Sequence, residues 1–226
     1  MKKCLLCIFL ACFTLVMGTA QSTILTASAF FREISDNYQT INDYEALIKI
    51  TANDENMEGS VSFKRPNLLR IDFTNPDTQV ICYNGDLLTI YLPGAHAILN
   101  QTVQSDDSTS NGTSLATPNG LTLMSRYYSV AYETGQDAVP LEDGSDEKVI
   151  KLVLSRKSSS EGFRIIRLSI NPETKLIRRV EATTTKNEIF IFDFTEYALN
   201  QDIPDTRFVY DAPSSANNYN NFLYSE

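Results

Sequence analysis

Residues Gly59 to Pro93, GSVSFKRPNLLRIDFTNPDTQVICYNGDLLTIYLP, constrain the fold more than any other part of this chain. Val61 and Phe63 alternate with Ser60, Ser62 and Lys64, the period of two of a strand with one buried face. Pro66 breaks that run because it has no N–H to give a ladder. Leu69, Ile71 and Phe73 then alternate with Leu68, Arg70 and Asp72. Asn75-Pro76-Asp77 reads as a turn, Val80 to Tyr83 as a strand, and Asn84-Gly85 as a hairpin signal. Leu88, Ile90 and Leu92 follow before Pro93-Gly94 turns the chain again. The pattern is an antiparallel meander of four strands, several with apolar groups on both faces (Leu68/Leu69, Val80/Ile81, Leu87/Leu88). A sheet of that kind must cover each face with a packed core, a helix or a ligand.

The N-terminus has the layout of a secretory signal peptide. Lys2 and Lys3 precede an apolar run from Cys4 to Met17, and Gly18-Thr19-Ala20 supplies small residues for cleavage after Ala20. The run falls short of the about 20 residues that span a bilayer, and no other segment approaches that length. An alternative makes Leu10-Ala11-Cys12 a lipobox with Cys12 acylated; Phe9 before it and the apolar Phe13 to Met17 after it weigh against this. Three of the four cysteines lie within residues 1–20, leaving Cys82 without an intramolecular disulfide partner and suited to a small core position. Removing residues 1–20 takes away two lysines and no acid, so the net charge moves from −9 to −11. That charge argues against nucleic acid or an anionic membrane surface as a partner.

Ile24, Ala27, Phe31, Ile34 and Tyr38 recur at helical spacing. Such a helix either packs on the sheet or covers a barrel mouth. Glu45 to Thr51 reads as a strand. Gln101 to Gly120 is rich in Ser, Thr, Asn and Asp and reads as a mobile loop inserted into the domain. Leu121 to Tyr128 reads as one or two helical turns, and Val130 to Glu133 as a strand. Further strands are expected at Val149–Leu154, Arg164–Ile170, Lys175–Ala182, Glu188–Phe194 and Phe208–Tyr210. Residues 214–226, with Asn217 to Asn221, read as a disordered tail. The sum is a single mainly β (α+β) domain over residues 21–213, with about eleven strands and one long helix, which fits an open or closed antiparallel β-barrel with a helical cover.

Catalytic chemistry is hard to assemble. His96 is the only histidine, so no Ser-His-Asp or Cys-His set and no ordinary zinc site can be built. The phosphate- and dinucleotide-binding glycine motifs and the GxSxG elbow do not occur. The acidic turn Leu141 to Glu147 does not have the spacing of a calcium loop. Paired carboxylates leave a glycosidase open, but the chain has no Trp to present to a sugar. The reading is a non-enzyme with no cofactor and no metal, in which the apolar surplus of the strands is the site.

Gly59 to Arg70, GSVSFKRPNLLR, resembles the G-x-(apolar)-x-(apolar)-K-R-P-x-x-(apolar)-R pattern of LolA, the family of periplasmic outer-membrane lipoprotein carriers. Pro76, Gln79-Val80-Ile81, Asn84-Gly85 and Leu88 to Tyr91 continue the resemblance, and Phe208 to Pro213 looks like the family's closing strand. The resemblance implies an incomplete antiparallel β-barrel of about eleven strands with an apolar cavity covered by helices, in a periplasmic monomer whose cavity takes the acyl chains of lipoproteins. The chains would be loaded by an ATP-driven inner-membrane releasing complex and delivered to an outer-membrane acceptor or the outer membrane itself. Carried onto this sequence, Phe63, Leu69, Ile71 and Val80 would line the cavity, with Leu88, Ile90, Phe190 and Phe192. Phe31, Ile34, Leu121, Leu123 and Met124 would form the lid, and Arg65 its latch through backbone carbonyls of a cover such as Leu121–Tyr127. Ile71 and Leu88 stand where the family often has Trp, and the Gln101–Gly120 loop is longer than usual, which bears on cavity shape and cargo. A LolB-like anchored acceptor and a LolA-like lipid-sensing module are the alternatives.

Overall fold

The computed structural model describes residues 25–53, 55–103 and 118–222. The signal-peptide reading and most of the inserted loop therefore lie outside the described residues. Helix α1 (Ala27–Thr40) opens the described chain, capped by the Thr26 hydroxyl, which accepts from the Ala29 N–H. Six strands follow: β1 (Asp43–Ala52), β2 (Glu55–Lys64), β3 (Leu68–Asn75), β4 (Val80–Tyr83), β5 (Leu87–Leu92) and β6 (Ala97–Thr102). Helix α2 (Pro118–Tyr127) leads into β7 (Tyr128–Tyr132), β8 (Val139–Pro140), β9 (Lys148–Arg156) and β10 (Phe163–Ile170). The chain ends with β11 (Ile177–Thr184), β12 (Ile189–Leu199), a short 3-10 helix at Asp205–Phe208 and β13 (Asn217–Asn220).

These strands form one curled sheet in the order β13-β6-β5-β4-β3-β2-β1-β12-β11-β10-β9-β7, with β8 paired to β9. All neighbours are antiparallel except β13 with β6. The edges β13 and β7 do not meet, so the barrel is open. The meander matches the sequence pattern: the β4–β5 turn is closed by the Asn84 side chain, which accepts from the N–H groups of Asp86 and Leu87, while Gly85 takes φ 104°.

Register assigns the faces. Phe63–Leu69–Tyr83–Leu88–Gln101 is one cross-strand row and Val61–Ile71–Ile81–Ile90–Leu99 the next, both on the inner face. Ser62–Arg70–Cys82–Thr89–Asn100 and Ser60–Asp72–Val80–Tyr91–Ile98 face outward. Both helices cover the inner face, through Phe30, Phe31, Ile34 and Tyr38 of α1 and Leu121 and Met124 of α2. A bulge on β12, with Glu196 at φ 54°, lets both Phe194 and Tyr197 turn inward.

The outer face of the meander has its own cover. Residues 201–216 run across it as a strap. Its Ile203 and Phe208 are buried, as are Val80, Cys82 and Ile98 on the sheet. Asp72 accepts from both Arg70 and Arg207, and Arg70 also donates to the Arg207 carbonyl. The Cys82 thiol donates to the Phe208 carbonyl at 3.2 Å. Burial pushes the Cys82 thiol up, which keeps it protonated.

Four expectations change. The sheet has thirteen strands rather than about eleven, the short β8 and β13 having no apolar alternation to mark them. Residues 208–210 are not a strand; the 3-10 helix ends at Phe208, and that segment packs across the sheet instead of joining it. Asn217–Asn220, read as disordered, pair with β6, because main-chain pairing asks little of side chains. Helix α2 begins at Pro118, inside the stretch read as loop.

Candidate functional site

The inner face has two unlike halves. Under the helices, Leu152, Leu154, Ile166, Leu168, Ile170, Val180 and Ala182 are sealed at 0–1% exposure against Phe30, Phe31, Ile34, Leu121 and Met124. On the meander half the same apolar pattern continues, but Leu69, Ile81, Tyr83, Ile90, Leu92 and Leu99 are only half-buried. Met57 on β2 and Phe190 and Phe192 on β12 share that state. The two inner rows contain no carboxylate, ammonium, guanidinium or imidazole. The result is an uncharged, incompletely covered apolar surface, suited to an apolar ligand.

One end of this face is fixed by polar contacts. The Tyr38 hydroxyl accepts from the Ile177 N–H at 3.0 Å, and the Tyr197 hydroxyl donates to the Ile177 carbonyl at 2.9 Å. Tyr44 packs on Phe63 and Tyr197, with ring centroids 5.3 and 5.4 Å away. Burial pushes Tyr38 up to about 12 and Tyr44 and Tyr197 upward as well, so all three remain neutral phenols across the ordinary pH range. The C-terminus of α1 is held at the same end. Arg65 Nη1 donates to the Gln39 carbonyl at 2.7 Å and its N–H to the Asn42 carbonyl at 2.8 Å. The Asn42 N–H donates to Asn200 Oδ1, and the Gln201 N–H to Asp43 Oδ1.

The sequence-derived site residues divide accordingly. Phe63, Leu69, Ile71, Leu88 and Ile90 share the inner face with Phe190 and Phe192, which follow from their pairing with Ala52 and Ile50. Val80 does not belong with them. It lies on the outer face under the strap, one residue out of phase with Ile81. Arg65 reaches α1, not the expected cover at Leu121–Tyr127. Of the lid set, Phe31, Ile34, Leu121 and Met124 are core residues at 0–3% exposure, whereas Leu123 is 40% exposed. Ile81, Leu99 and Met57 are additions from the structure; Leu99 follows the alternation of its strand, whereas Ile81 needs the β3–β4 register and Met57, which precedes the apolar run, the β1–β2 register. Among the described residues no cluster of three or more His, Cys, Asp or Glu is placed to hold a metal, and no helix is long and apolar enough to cross a membrane.

No curated protein sequence matches the chain. Among solved structures, an uncharacterized conserved protein from Thermus thermophilus is similar at TM-score 0.54 and 14% identity, over 84% of this chain and 98% of that one. The lipoprotein LppX of Mycobacterium tuberculosis is similar at TM-score 0.52 and 12% identity, over 79% and 97%. MucB gives TM-score 0.52 and 10% identity, with 84% of this chain covering 64% of that one. At these identities the likeness is one of fold. The family model described as outer membrane lipoprotein carrier protein LolA matches residues 49–211, from the middle of β1 to the strap, which is well over half of the sequence. Proteins of that family are extracytoplasmic binding and carrier proteins. With its curled sheet, inner helices and the uncharged inner rows of its meander, this chain belongs to the LolA family.

Proposed function

We propose that this protein carries lipoprotein acyl chains through the periplasm, from an ATP-driven releasing complex in the inner membrane to an acceptor at the outer membrane. The reading includes export by residues 1–20 and a soluble mature chain from about Gln21. The observation that carries it is the half-buried, uncharged inner face of β2–β6 beside a fully packed half of the same sheet. Each CH₂ withdrawn from water is worth about 0.8 kcal/mol, so a lipoprotein with two or three chains does not cross an aqueous compartment unaided. A site that is only partly enclosed returns less than that full gain, and so can release its cargo to a tighter acceptor.

The test is uptake of an apolar fluorophore by the delipidated chain of residues 21–226, alongside lipid extraction from natively purified protein. Ile81→Asp and Ile90→Asp place a carboxylate on the inner face and abolish uptake while unfolding stays cooperative. Ile189→Asp, at a position 48% exposed on the outer side of β12, leaves uptake unchanged. A folded wild-type protein that takes up no fluorophore and yields no extractable lipid sinks the proposal. Acyl-cysteine at position 12 in the mature protein would instead make it an anchored acceptor.

A further inference from the structure

Burial along the inner face is graded on β1, β2, β5 and β12, with one direction; β3 and β4 do not share it, since Leu69 and Tyr83 are half-buried beside Phe63. On β1, exposure rises from Tyr44 at 1% through Ala46 at 3% and Ile48 at 5% to Ile50 at 7%, and Ala52 is half-buried. On β2, paired antiparallel to it, Phe63 and Val61 are at 1% and 2%, and Met57 is half-buried opposite Ile50. On β12, Phe194 is at 6%, and Phe192 and Phe190, which pair with Ile50 and Ala52, are half-buried. On β5, Leu88 at 9% gives way to half-buried Ile90 and Leu92. These strands open toward the same end, that of the β1–β2 and β11–β12 turns. The opposite end is closed by Tyr38, Tyr44 and Tyr197 and by the anchored C-terminus of α1. Ile71 and Phe73 on β3 stay buried within the open region and form its floor; Phe73 lies across from Gly59, where any Cβ would meet the Asp72 carbonyl.

Resting on the acyl-carrier reading, we infer that the binding face has its mouth at the β1–β2/β11–β12 end, framed by Met57, Phe163, Phe190 and Phe192, so that acyl chains lie with their methyl ends toward Tyr44. From Tyr44 to Ala52 the strand runs about 26 Å at ~3.3 Å per residue, room for an extended acyl chain. The frame suits this use. Phenyl rings and a thioether are wide, apolar and adaptable to chains of differing geometry. The residues just outside it are polar: Lys49 and Glu58 form an exposed ion pair on the outer side of the same strands, and Thr51 donates to Asn56. The charged and peptide part of the cargo therefore meets water at this end, while the two inner rows of the meander hold no charged group. The β1–β2 and β11–β12 turns become the side presented to the protein that loads or receives the cargo.

The chain has no native Trp, so single Trp variants report position. Phe190→Trp places the reporter at the mouth, and Leu69→Trp, at a half-buried position in the Phe63 row, places one near the closed end. Each variant is titrated with stearate carrying a nitroxide quencher either beside its carboxyl or at its methyl end. The expected result is a crossed pattern: the carboxyl-side nitroxide quenches Phe190→Trp several-fold more than Leu69→Trp, and the methyl-end nitroxide does the reverse. Phe192→Trp replaces Phe190→Trp if the latter fails to fold, with the same expectation. The reversed pattern, or equal quenching of both sites by both probes, overturns the orientation while leaving lipid binding standing. No quenching at either site in folded variants overturns the carrier reading and the orientation together.

Discussion

The two halves of the inner face are built from the same residue types on the same sheet, yet they end in opposite states. In the β9–β11 half, Leu152, Leu154, Ile166 and Leu168 meet two helices and are sealed. In the β3–β6 half, Leu69, Ile81, Ile90 and Leu99 are equally apolar and remain half-buried. Hydrophobicity along the strands does not separate them. What separates them is where α1 and α2 land. Helix α2 leads directly into β7, the edge beside β9, and α1 packs against both α2 and β7, so the helical cover is committed to one side. The meander half spends its cover on the other face, where the strap carries Ile203 and Phe208. A sheet with apolar groups on both faces and too few elements to cover them leaves a surface for something else.

If the halves differ as described, matched truncations separate them. Leu168→Ala opens a cavity in a sealed core and costs about 2–5 kcal/mol in denaturant unfolding. Ile81→Ala removes atoms already partly in water and costs under about 1.5 kcal/mol, yet weakens fluorophore uptake, which Leu168→Ala does not. Equal stability losses would show that the meander half is packed as tightly as the other.

Next in size is the closed end. Tyr38→Phe removes the acceptor of a buried N–H at Ile177, and an orphaned buried donor costs about 1–3 kcal/mol. Because burial holds the Tyr38 pKa at about 12, its hydroxyl is intact throughout the neutral range, and the difference between wild type and Tyr38→Phe should be flat from about pH 5 to 9. A loss that varied with pH in that window would mean the hydroxyl is not sealed.

The outer face does respond to pH. Burial raises the Asp72 pKa, but hydrogen bonds and charge from Arg70 and Arg207 outweigh it and hold the carboxyl below its usual value. A depressed folded-state pKa contributes stability that is full above the unfolded value of about 3.9 and fades as pH falls through the lower folded value. Asp72→Asn is expected to cost about 1–2 kcal/mol at neutral pH, since the group is partly exposed. It should also remove part of the acid sensitivity below about pH 4. Protease cutting in residues 209–216 is the local readout; a strap as resistant in Asp72→Asn as in wild type would show that the ion pairs do not hold it.

How far this molecule could be read from its sequence follows the same division. The strands and turns of the meander are legible in the sequence because alternation, Pro66 and Asn84-Gly85 all agree. Val80 was misplaced because Val80 and Ile81 are both apolar, and only the pairing with Asp72 and Ile71 tells which faces in. Within the strap, Phe208–Tyr210 reads as a short strand, yet Phe208 ends a 3-10 helix and serves a face that needed covering. The graded burial had no sequence signal, since it depends on which rows the helices reach.

Arg65 is the smallest effect and decides between two accounts of α1. The family resemblance makes it a latch whose release opens the cavity. The structure puts its guanidinium on the Gln39 carbonyl, at the end of the face that Tyr38, Tyr44 and Tyr197 already close. Arg65 itself is exposed, and an exposed charged contact contributes about 1 kcal/mol or less. The same helix end keeps the Asn42–Asn200 and Arg65 main-chain bonds when the guanidinium is gone. Arg65→Leu is therefore expected to lower the midpoint of thermal unfolding by a few degrees at most. It should change the rate of fluorophore uptake in stopped flow by less than about five-fold, since ~1 kcal/mol is worth that factor. A change of tens-fold would mean that α1 swings at its C-terminal end during loading, and the helix would then be a lid hinged opposite the mouth rather than a fixed wall.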